Sequence, residues 1–448
     1  MTTQKGFKRL VRSRMAKTGE RYATARRVLL AARERSPMTA PGGPDPSADY
    51  RFRGGLHPET ASLANTLAHH RVTSPITGQP LSEGLVLVAG GGLGAGYILW
   101  EFEGRGAVLT LAFRNRWQYP GIPGWFGNVT QRLGLDARLH ETGGARSAAT
   151  TLDAILDRGD PVIAFVDQQE IGTWGQPDDL SGSWGYPVVV AGRAPDGSYL
   201  VDDRGRAALR VAPEVMARAR ARIGSFRHRL LEIRPDPGPM PADRLRAAVR
   251  AGLEDQVDHL RAPSDSFSLP AWRKWSRLLT DRRHAKGWPR VFAGGTGLFG
   301  ALMSIVEEVD GDFGAHGGHL RDLFAEGLED AARVLELPAL VDAAATWRAA
   351  ADLWQDLADA AVPGSIDGAS DAVEAAEELH DAVMDGESGR AAARSAAQRL
   401  WDARHRADRA DFADGLVDGL FADLGDRLRD IHAAETEALE ITARAIGR

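Results

Sequence analysis

GLHPETASL, at residues 55–63, is the segment around which the rest of this sequence can be organised. Pro58 lacks a backbone N–H, which is tolerated at the start of a helix. Leu63 and Leu67 then follow at helical spacing within residues 60–70. The segment therefore predicts a helix that precedes every clear strand of the chain.

The strands are predicted from short apolar runs at residues 108–113, 161–166 and 187–191. The last run leads through Pro195-Asp196-Gly197, a hairpin signal, into a further strand at 198–201. A helix is predicted at 147–158. Because the first helix precedes the strands, the order of elements indicates an α+β domain over residues 51–235. We expect an antiparallel-leaning sheet packed on the first helix.

Residues 241–448 change in character and predict an all-α domain. They are rich in Ala, Leu, Asp and Arg, with apolar residues at helical spacing and almost no strand runs. At the other end, residues 36–50 read as a Pro/Gly linker. Residues 1–35 read as a basic leader of two short helices.

Composition excludes several classes of protein. The chain has no cysteine, which excludes disulfides, thiolate metal sites and cysteine nucleophiles. No stretch approaches the roughly 18–20 apolar residues of a membrane helix, and the basic N-terminus lacks the apolar region of a secretory signal. We therefore expect a cytoplasmic protein that is not bound to a membrane.

Two motifs resemble those of the butirosin biosynthesis protein H family. That family opens with Gly-His-Cys, small residues and Leu, which residues 55–63 resemble, and WGYPVVVAG at 184–192 resembles its Gly-Gly-His-Ala-Val-Val-Val segment. Residues 241–448 resemble the helical domain of unknown function that usually follows. The resemblance implies a papain-like, cysteine-peptidase-like fold, in which Pro58 replaces the nucleophilic Cys and Tyr186 replaces the base His.

The same resemblance implies an acyl transfer in which a His-activated thiolate acts and an acid orients the imidazole. Asp202 and Asp167 fall on acidic positions of the family, and His57 is a retained neighbour of the motif. With Pro58 and Tyr186 expected to face one cleft, we interpret the chain as a catalytically degenerate acyltransferase-like protein. It would act in binding or assembly, in natural-product or peptide-modification biosynthesis.

Two other functions stay open. Thr60 or Ser62 could serve an acyl or aminoacyl transferase that does not use cysteine, if a base and an oxyanion site were positioned nearby. The basic leader could instead associate with nucleic acid. A homo-oligomer also stays open.

The glycine-rich segment GGGLGAG at 90–96 is interpreted as a structural loop. A dinucleotide fingerprint needs a strand before the glycines and a helix after them. Here residues 81–87 open like a helix capped by Ser82, and residues 97–102 read as a strand. We predict no cofactor. We also predict no metal site, because the paired histidines His69-His70 and His316/His319 lack a third convergent ligand.

Aromatic residues interleaved with Gly and Pro form the candidate binding site. They are interpreted as loop residues that either cover the core or line a cleft that binds a carrier protein, peptide or acyl ligand. The residues are Trp117, Tyr119, Trp125, Trp174 and Trp184.

The basic leader generates a deletion test. Residues 1–35 carry eleven Lys and Arg against two acidic residues, a net charge of +9. Deleting residues 1–40 should leave the following domains folded but abolish salt-sensitive binding of an acidic partner. A lysate pull-down at low and high salt, scored for protein and nucleic acid, measures this. Identical partners for both forms would show that the leader does not bind.

Overall fold

A computed structural model describes most of the chain. It covers Arg14 and residues 50–102, 106–111, 124–183, 185–310, 316–364, 366–408 and 414–448. The predicted leader and linker lie outside the described residues, apart from Arg14 and Tyr50. The described helices and strands confirm an α+β region followed by an all-α region.

The first region mixes helices with short strands. Its helices are α1 (Pro58–His69), α2 (Glu83–Ala89), α3 (Gly124–Leu133), α4 (Ala145–Leu156), α5 (Gln168–Ile171) and α6 (Pro213–Arg222), with 3-10 turns at Asp178–Leu180 and Gly224–Phe226. Its strands are β1 (Val72–Thr73), β2 (Tyr97–Phe102), β3 (Gly106–Leu111), β4 (Asp136–His140), β5 (Val162–Asp167), β6 (Gly185–Arg193), β7 (Tyr199–Asp202), β8 (Leu209–Val211), β9 (Leu230–Arg234) and β10 (Gly238–Pro239).

Six of these strands form one antiparallel sheet in the order β4-β9-β5-β6-β7-β8. The β6–β7 hairpin turns at Gly197, which has a left-handed φ of 86° that glycine adopts without strain. Strands β2 and β3 form a separate antiparallel pair, and β1 and β10 a short parallel pair. The predicted hairpin and the antiparallel sheet are thus confirmed.

The sheet lies between two layers of helices, because successive side chains of a strand point to opposite faces. Ile163 and Phe165 of β5 belong to the large apolar cluster that also contains Leu63 of α1. Val162 and Ala164 belong to a smaller cluster with side chains of α4 and α6. Helix α1 therefore covers one face, and α4 with α6 covers the other.

Three strands of the six-stranded sheet escaped prediction, and β9 shows why. This inner strand carries Glu232, which is 1% exposed yet accepts hydrogen bonds from His140, Arg158 and Arg234. Since cationic partners satisfy the buried carboxylate, a charged residue is tolerated where the sequence pattern calls for an apolar one. Edge strands β4 and β8 are short and partly exposed, so their apolar signal is weak.

The second region is helical throughout its described residues. Its helices are α7 (Ala242–Arg261), α8 (Pro270–Thr280), α9 (Trp288–Val291), α10 (Leu298–Asp310), α11 (His316–His319), α12 (Arg321–Leu335), α13 (Ala339–Ala361), α14 (Ala369–Met384), α15 (Arg390–Ala407) and α16 (Asp414–Ala445), with 3-10 turns at Ala293–Gly295 and Gly386–Gly389.

A buried ion pair occupies the centre of this helical region. Arg321 and Glu435 are 1% and 0% exposed, and the Arg321 Nε lies 2.7 Å from the Glu435 Oε1. The indole N–H groups of Trp272 and Trp354 also donate to the Glu435 carboxylate, at 2.9 and 2.6 Å. Both charges are therefore hydrogen-bonded as well as paired, which a buried ion pair requires.

The glycine-rich loop at 90–96 joins the two regions. The Arg321 Nη2 donates to the Gly94 carbonyl at 3.1 Å, and the Leu93 N–H donates to the Gln256 side chain of α7. Gly92 has a φ of 67°, and a Cβ added there would lie 1.8 Å from the Gln256 Oε1. The predicted helix before the loop and strand after it are confirmed. Side chains of the helical region, Gln256 and Arg321, bind the backbone of the loop.

Helix α2 contacts the helical region through glycines. A Cβ added to Gly327 of α12 would lie 2.2 Å from the Gly84 carbonyl oxygen of α2. A Cβ added to Gly252 of α7 would lie 2.0 Å from the Val88 carbonyl oxygen of the same helix. Larger residues at these positions would separate the backbones, so the close approach depends on glycine.

This approach generates a paired stability test. Gly327→Ala should lower the free energy of unfolding by about 1–3 kcal/mol, because the new methyl group meets backbone atoms that cannot move aside easily. Gly419→Ala is the matched control, since α16 leaves open space around its Cβ position. This control should raise the stability by up to about 1 kcal/mol through helix propensity. Urea unfolding measures both, and equal effects would contradict the contact.

Candidate functional site

The N-terminus of α1, where the family motif lies, is occupied by a carboxylate from α2. Glu83 accepts hydrogen bonds from the backbone N–H groups of Leu56 and His57, both at 3.0 Å, and from the Thr60 hydroxyl at 2.6 Å. Ser82 caps α2 as predicted, accepting from the Leu85 N–H at 3.0 Å. The cap of α2 thus fixes the carboxylate at the start of α1.

Removal from water raises the pKa of Glu83, and its hydrogen bonds and the charge of Arg204 lower it again in part. A carboxylate is otherwise well placed at a helix N-terminus, because the first N–H groups lack partners within the helix. His57 stands at the N-cap, and its side chain is 1% exposed with Nε2 3.3 Å from the Glu59 Oε2. Pro58 follows as the first, buried residue of α1.

Asp202, predicted from the family pattern, ties α1 to the sheet. It ends β7 and accepts hydrogen bonds from the Tyr50 hydroxyl at 2.7 Å, the Asn65 side chain of α1 at 3.1 Å and the Gly205 N–H at 3.2 Å. Burial raises the pKa of Asp202 to about 6, against the effect of its hydrogen bonds. The observed role of this side chain is to hold three segments together.

Tyr186, which the family resemblance predicts at the position of the base, donates its hydroxyl to the Asp203 Oδ2 at 2.8 Å. The Trp174 indole N–H donates to the same oxygen at 2.9 Å, and the Arg204 guanidinium contacts the Asp203 Oδ1 at 3.3 Å. Burial, followed by the charge of Asp203, raises the pKa of Tyr186 well above its ordinary value. Tyr186 is therefore a neutral hydrogen-bond donor.

Pro58 and Tyr186 are both buried, and the cleft that they were expected to share stays a prediction. Tyr186 packs in the smaller cluster with Val188 and Val190, whereas Val189 faces the cluster that contains α1. The alternation of strand side chains explains why Tyr186 and Val189 belong to different clusters.

Arg204 acts on both the Glu83 carboxylate at the start of α1 and the Tyr186 hydroxyl beside Asp203. It is 3% exposed, has a left-handed φ of 60°, and places its guanidinium 5.5 Å from the Trp174 ring centre. Its charge lowers the pKa of both Glu83 and Tyr186. Sequence reasoning missed Glu83, Asp203 and Arg204. The run Asp202-Asp203-Arg204 after an apolar strand was an available signal, whereas nothing in the sequence pointed to Glu83.

The other predicted residues are distributed as follows. Asp167 ends β5 and caps α5, accepting from the Glu170 N–H at 3.0 Å and the Gly182 N–H at 2.7 Å. Burial raises its pKa. Trp125 lies on α3 and not in a loop, and both Trp125 and Trp174 are buried. Trp117, Tyr119 and Trp184 lie outside the described residues.

Within the described ranges, no three His, Asp or Glu side chains converge as metal ligands would. In the same part of the chain, no helix is both long and apolar enough to cross a membrane.

Asp202 generates a pH test. Its folded-state pKa of about 6 lies above its ordinary value of 3.8, so the folded state favours the protonated form. The resulting stability is complete below about pH 3.8 and is lost as the pH rises through 6. Between pH 4 and pH 7 the free energy of unfolding of wild type should fall relative to Asp202→Asn, by at most about 3 kcal/mol.

Urea unfolding of both proteins across this pH range measures the difference. The control is Asp196→Asn in the exposed hairpin turn, where the Ser198 hydroxyl lowers the aspartate pKa. That control should show no comparable fall between pH 4 and pH 7, because its stabilising contribution is present above the ordinary pKa of 3.8 and is lost only at lower pH. A wild-type curve parallel to that of Asp202→Asn would contradict the assignment.

Comparison with known families gives two matches along the chain. Residues 57–204 match the family described as butirosin biosynthesis protein H, N-terminal. Residues 214–393 match the domain of unknown function DUF4872. A search of curated proteins finds no match. The first match runs from His57 to Arg204 and includes all of α1 and β7. The resemblance inferred from the motifs is confirmed: the chain carries the N-terminal domain of the butirosin biosynthesis protein H family, followed by the domain of unknown function DUF4872.

Proposed function

We propose that this chain is a catalytically degenerate, papain-like member of an acyltransferase-like family that acts as a binding or assembly component. Its setting would be natural-product or peptide-modification biosynthesis, in keeping with the family description. The observation that carries the proposal is the Glu83 carboxylate at the N-terminus of α1, bonded to the Leu56 N–H, the His57 N–H and the Thr60 hydroxyl.

This carboxylate opposes thiolate chemistry in two ways. A nucleophilic thiolate at a helix N-terminus is stabilised by free N–H groups and nearby cations, and a carboxylate in the same place destabilises it. An oxyanion of acyl transfer also needs donors that are not already engaged. At this helix Pro58 brings no N–H, and the donors of Leu56 and His57 are directed to Glu83.

The base position supports the same proposal. A general base needs a pKa near the working pH, whereas burial and Asp203 raise the pKa of Tyr186 far above it. The Tyr186 hydroxyl already donates to Asp203, and Arg204 and Trp174 complete the contacts of that carboxylate. The surrounding residues thus stabilise Tyr186 as a structural donor.

One contact favours a second candidate, an acyl or aminoacyl transferase that uses a hydroxyl. The Thr60 hydroxyl lies 2.6 Å from the Glu83 Oε1, which is the geometry of a nucleophile beside a base. The side chain of Thr60 is 0% exposed, and Ser62 is 4% exposed. A substrate could reach Thr60 only after α1 moved, so we rank this candidate second.

For the binding role, we keep Trp117, Tyr119 and Trp184 as proposed contacts to a carrier protein, peptide or acyl ligand. Trp125 and Trp174 are less suited to that role, because their rings are buried in the core. The third candidate, association with nucleic acid through the basic leader, is addressed by the deletion of residues 1–40.

The leading candidate is tested by restoring the lost pair. Wild type should not turn over an acyl-pantetheine thioester. The variant Pro58→Cys/Tyr186→His carries the only thiol of the chain, whose pKa should stay at or above the ordinary value of about 8.5. Adding Glu83→Gln should lower that pKa, because the opposing charge is removed. Thiolate absorbance at 240 nm against pH measures both values.

Two further readouts separate the candidates. Thioester turnover by wild type that disappears in Thr60→Ala or Ser62→Ala would overturn the leading proposal in favour of the hydroxyl transferase. If wild type binds the thioester without turning it over, the binding should quench tryptophan fluorescence. This quenching should be lost in Trp117→Ala. Trp100→Ala is the control, because Trp100 is 40% exposed on the separate β2–β3 pair. Equal quenching in both variants would remove Trp117 from the ligand site.

A further inference from the structure

A second polar site lies on the sheet face opposite α1. A cavity of about 20 Å³ opens between α4 and α6. Its walls are small and apolar on the α4 side, at Ala145, Ala148 and Ala149, and its polar lining includes Arg220 and His228. No residue discussed above as a family position lines it.

Arg220 is a buried cation whose guanidinium is incompletely satisfied. It is 3% exposed. The Nη1 donates to the Ala148 carbonyl at 3.1 Å and the Nη2 to the His228 carbonyl at 2.7 Å. The Nε is buried and has no acceptor. Among the described residues no carboxylate forms an ion pair with it, and burial lowers its pKa to about 10. A buried cation without a counter-ion is costly, so an anion beside Arg220 would be stabilised.

Helix α4 adds a second source of positive potential at the same cavity. The helix has twelve residues and begins at Ala145, which lines the cavity. Its N-cap is Gly144, which offers no side-chain cap, and its first turn carries no acidic residue. Such an N-terminus presents unpartnered N–H groups and the positive end of the helix dipole.

The turn that carries His228 also lines this cavity. Arg227 and His228 are consecutive residues with left-handed φ values of 48° and 54°. This backbone conformation is costly for residues other than glycine. Burial and then the charge of Arg220 lower the pKa of His228. Asp153, the acid whose charge raises the pKa of Arg220 in part, already accepts a hydrogen bond from Tyr199 and pairs with Arg193.

We propose that this cavity binds a small anion between Arg220 and the N-terminus of α4. One water-sized group needs about 10–15 Å³ of such a cavity, so the site accepts a single anionic atom and excludes a whole phosphate or sulfate. Two sources present such an atom: a free halide, with chloride as the biological one, or one oxygen of a carboxylate. The site is independent of the function proposed for the α1 face.

The test measures melting temperature against anion concentration in full-length protein. Sodium chloride should raise the melting temperature saturably, by about 2–4 °C at a hundredfold excess over Kd, relative to sodium sulfate at equal ionic strength, whose anion is too large for the cavity. Sodium acetate is the second arm. Stabilisation by acetate and not by chloride would assign the site to a carboxylate oxygen. Identical melting in all three salts would overturn the proposal.

Variants localise the effect without removing Arg220, which also braces two carbonyls. Ala149→Leu fills the cavity and should abolish the chloride effect. Ala154→Leu, on an exposed position of the same helix, is the matched control and should retain it. Ala145→Glu supplies a tethered carboxylate, and should raise the melting temperature in sodium sulfate while removing the response to chloride. A chloride effect that persists unchanged in Ala149→Leu would place the anion elsewhere and refute this site.

Discussion

The buried pair of Arg321 and Glu435 connects more of this molecule than any other single interaction described here. It joins the first residue of α12 to the middle of α16, and two tryptophans, Trp272 of α8 and Trp354 of α13, donate to the same carboxylate. Arg321 also reaches the Gly94 carbonyl in the loop between α2 and β2. Because an unpaired charge at this depth would cost several kcal/mol, these five segments keep one arrangement.

The two regions of the chain consequently share one interior. A single apolar cluster includes Leu63 of α1, Val88 of α2, Trp272 of α8 and Trp347 of α13. Helix α2 is enclosed on two sides by backbone contacts at Gly252 and Gly327. Since α2 carries Glu83, the helical region determines where that carboxylate meets α1. The electrostatics of the family site therefore depend on residues more than 160 positions further along the chain.

Much of the fold could be predicted from local signals. Pro58 with the spacing of Leu63 and Leu67 indicated α1, Ser82 indicated the start of α2, and Pro195-Asp196-Gly197 indicated the β6–β7 hairpin. Strand β9 could not be predicted, because two of the partners that satisfy the buried Glu232 carboxylate lie on β4 and on the loop after α4. The same limit applied to the site. Asp202 was accessible through the family pattern, whereas the bonds of Glu83 to α1 and of Tyr186 to Asp203 are tertiary contacts with no local signature.

The glycine-rich loop at 90–96 has a consequence for how the two halves associate. It presents an N–H group at Leu93 and a carbonyl at Gly94 to Gln256 and Arg321, in the way that a binding loop presents its backbone to a small molecule. The helical half is in this sense a ligand covalently tethered to its receptor. Tethering replaces a bimolecular encounter by an intramolecular one with a millimolar effective concentration. Weak individual contacts are then sufficient for full occupancy, and a loop of this composition needs no nucleotide to become ordered.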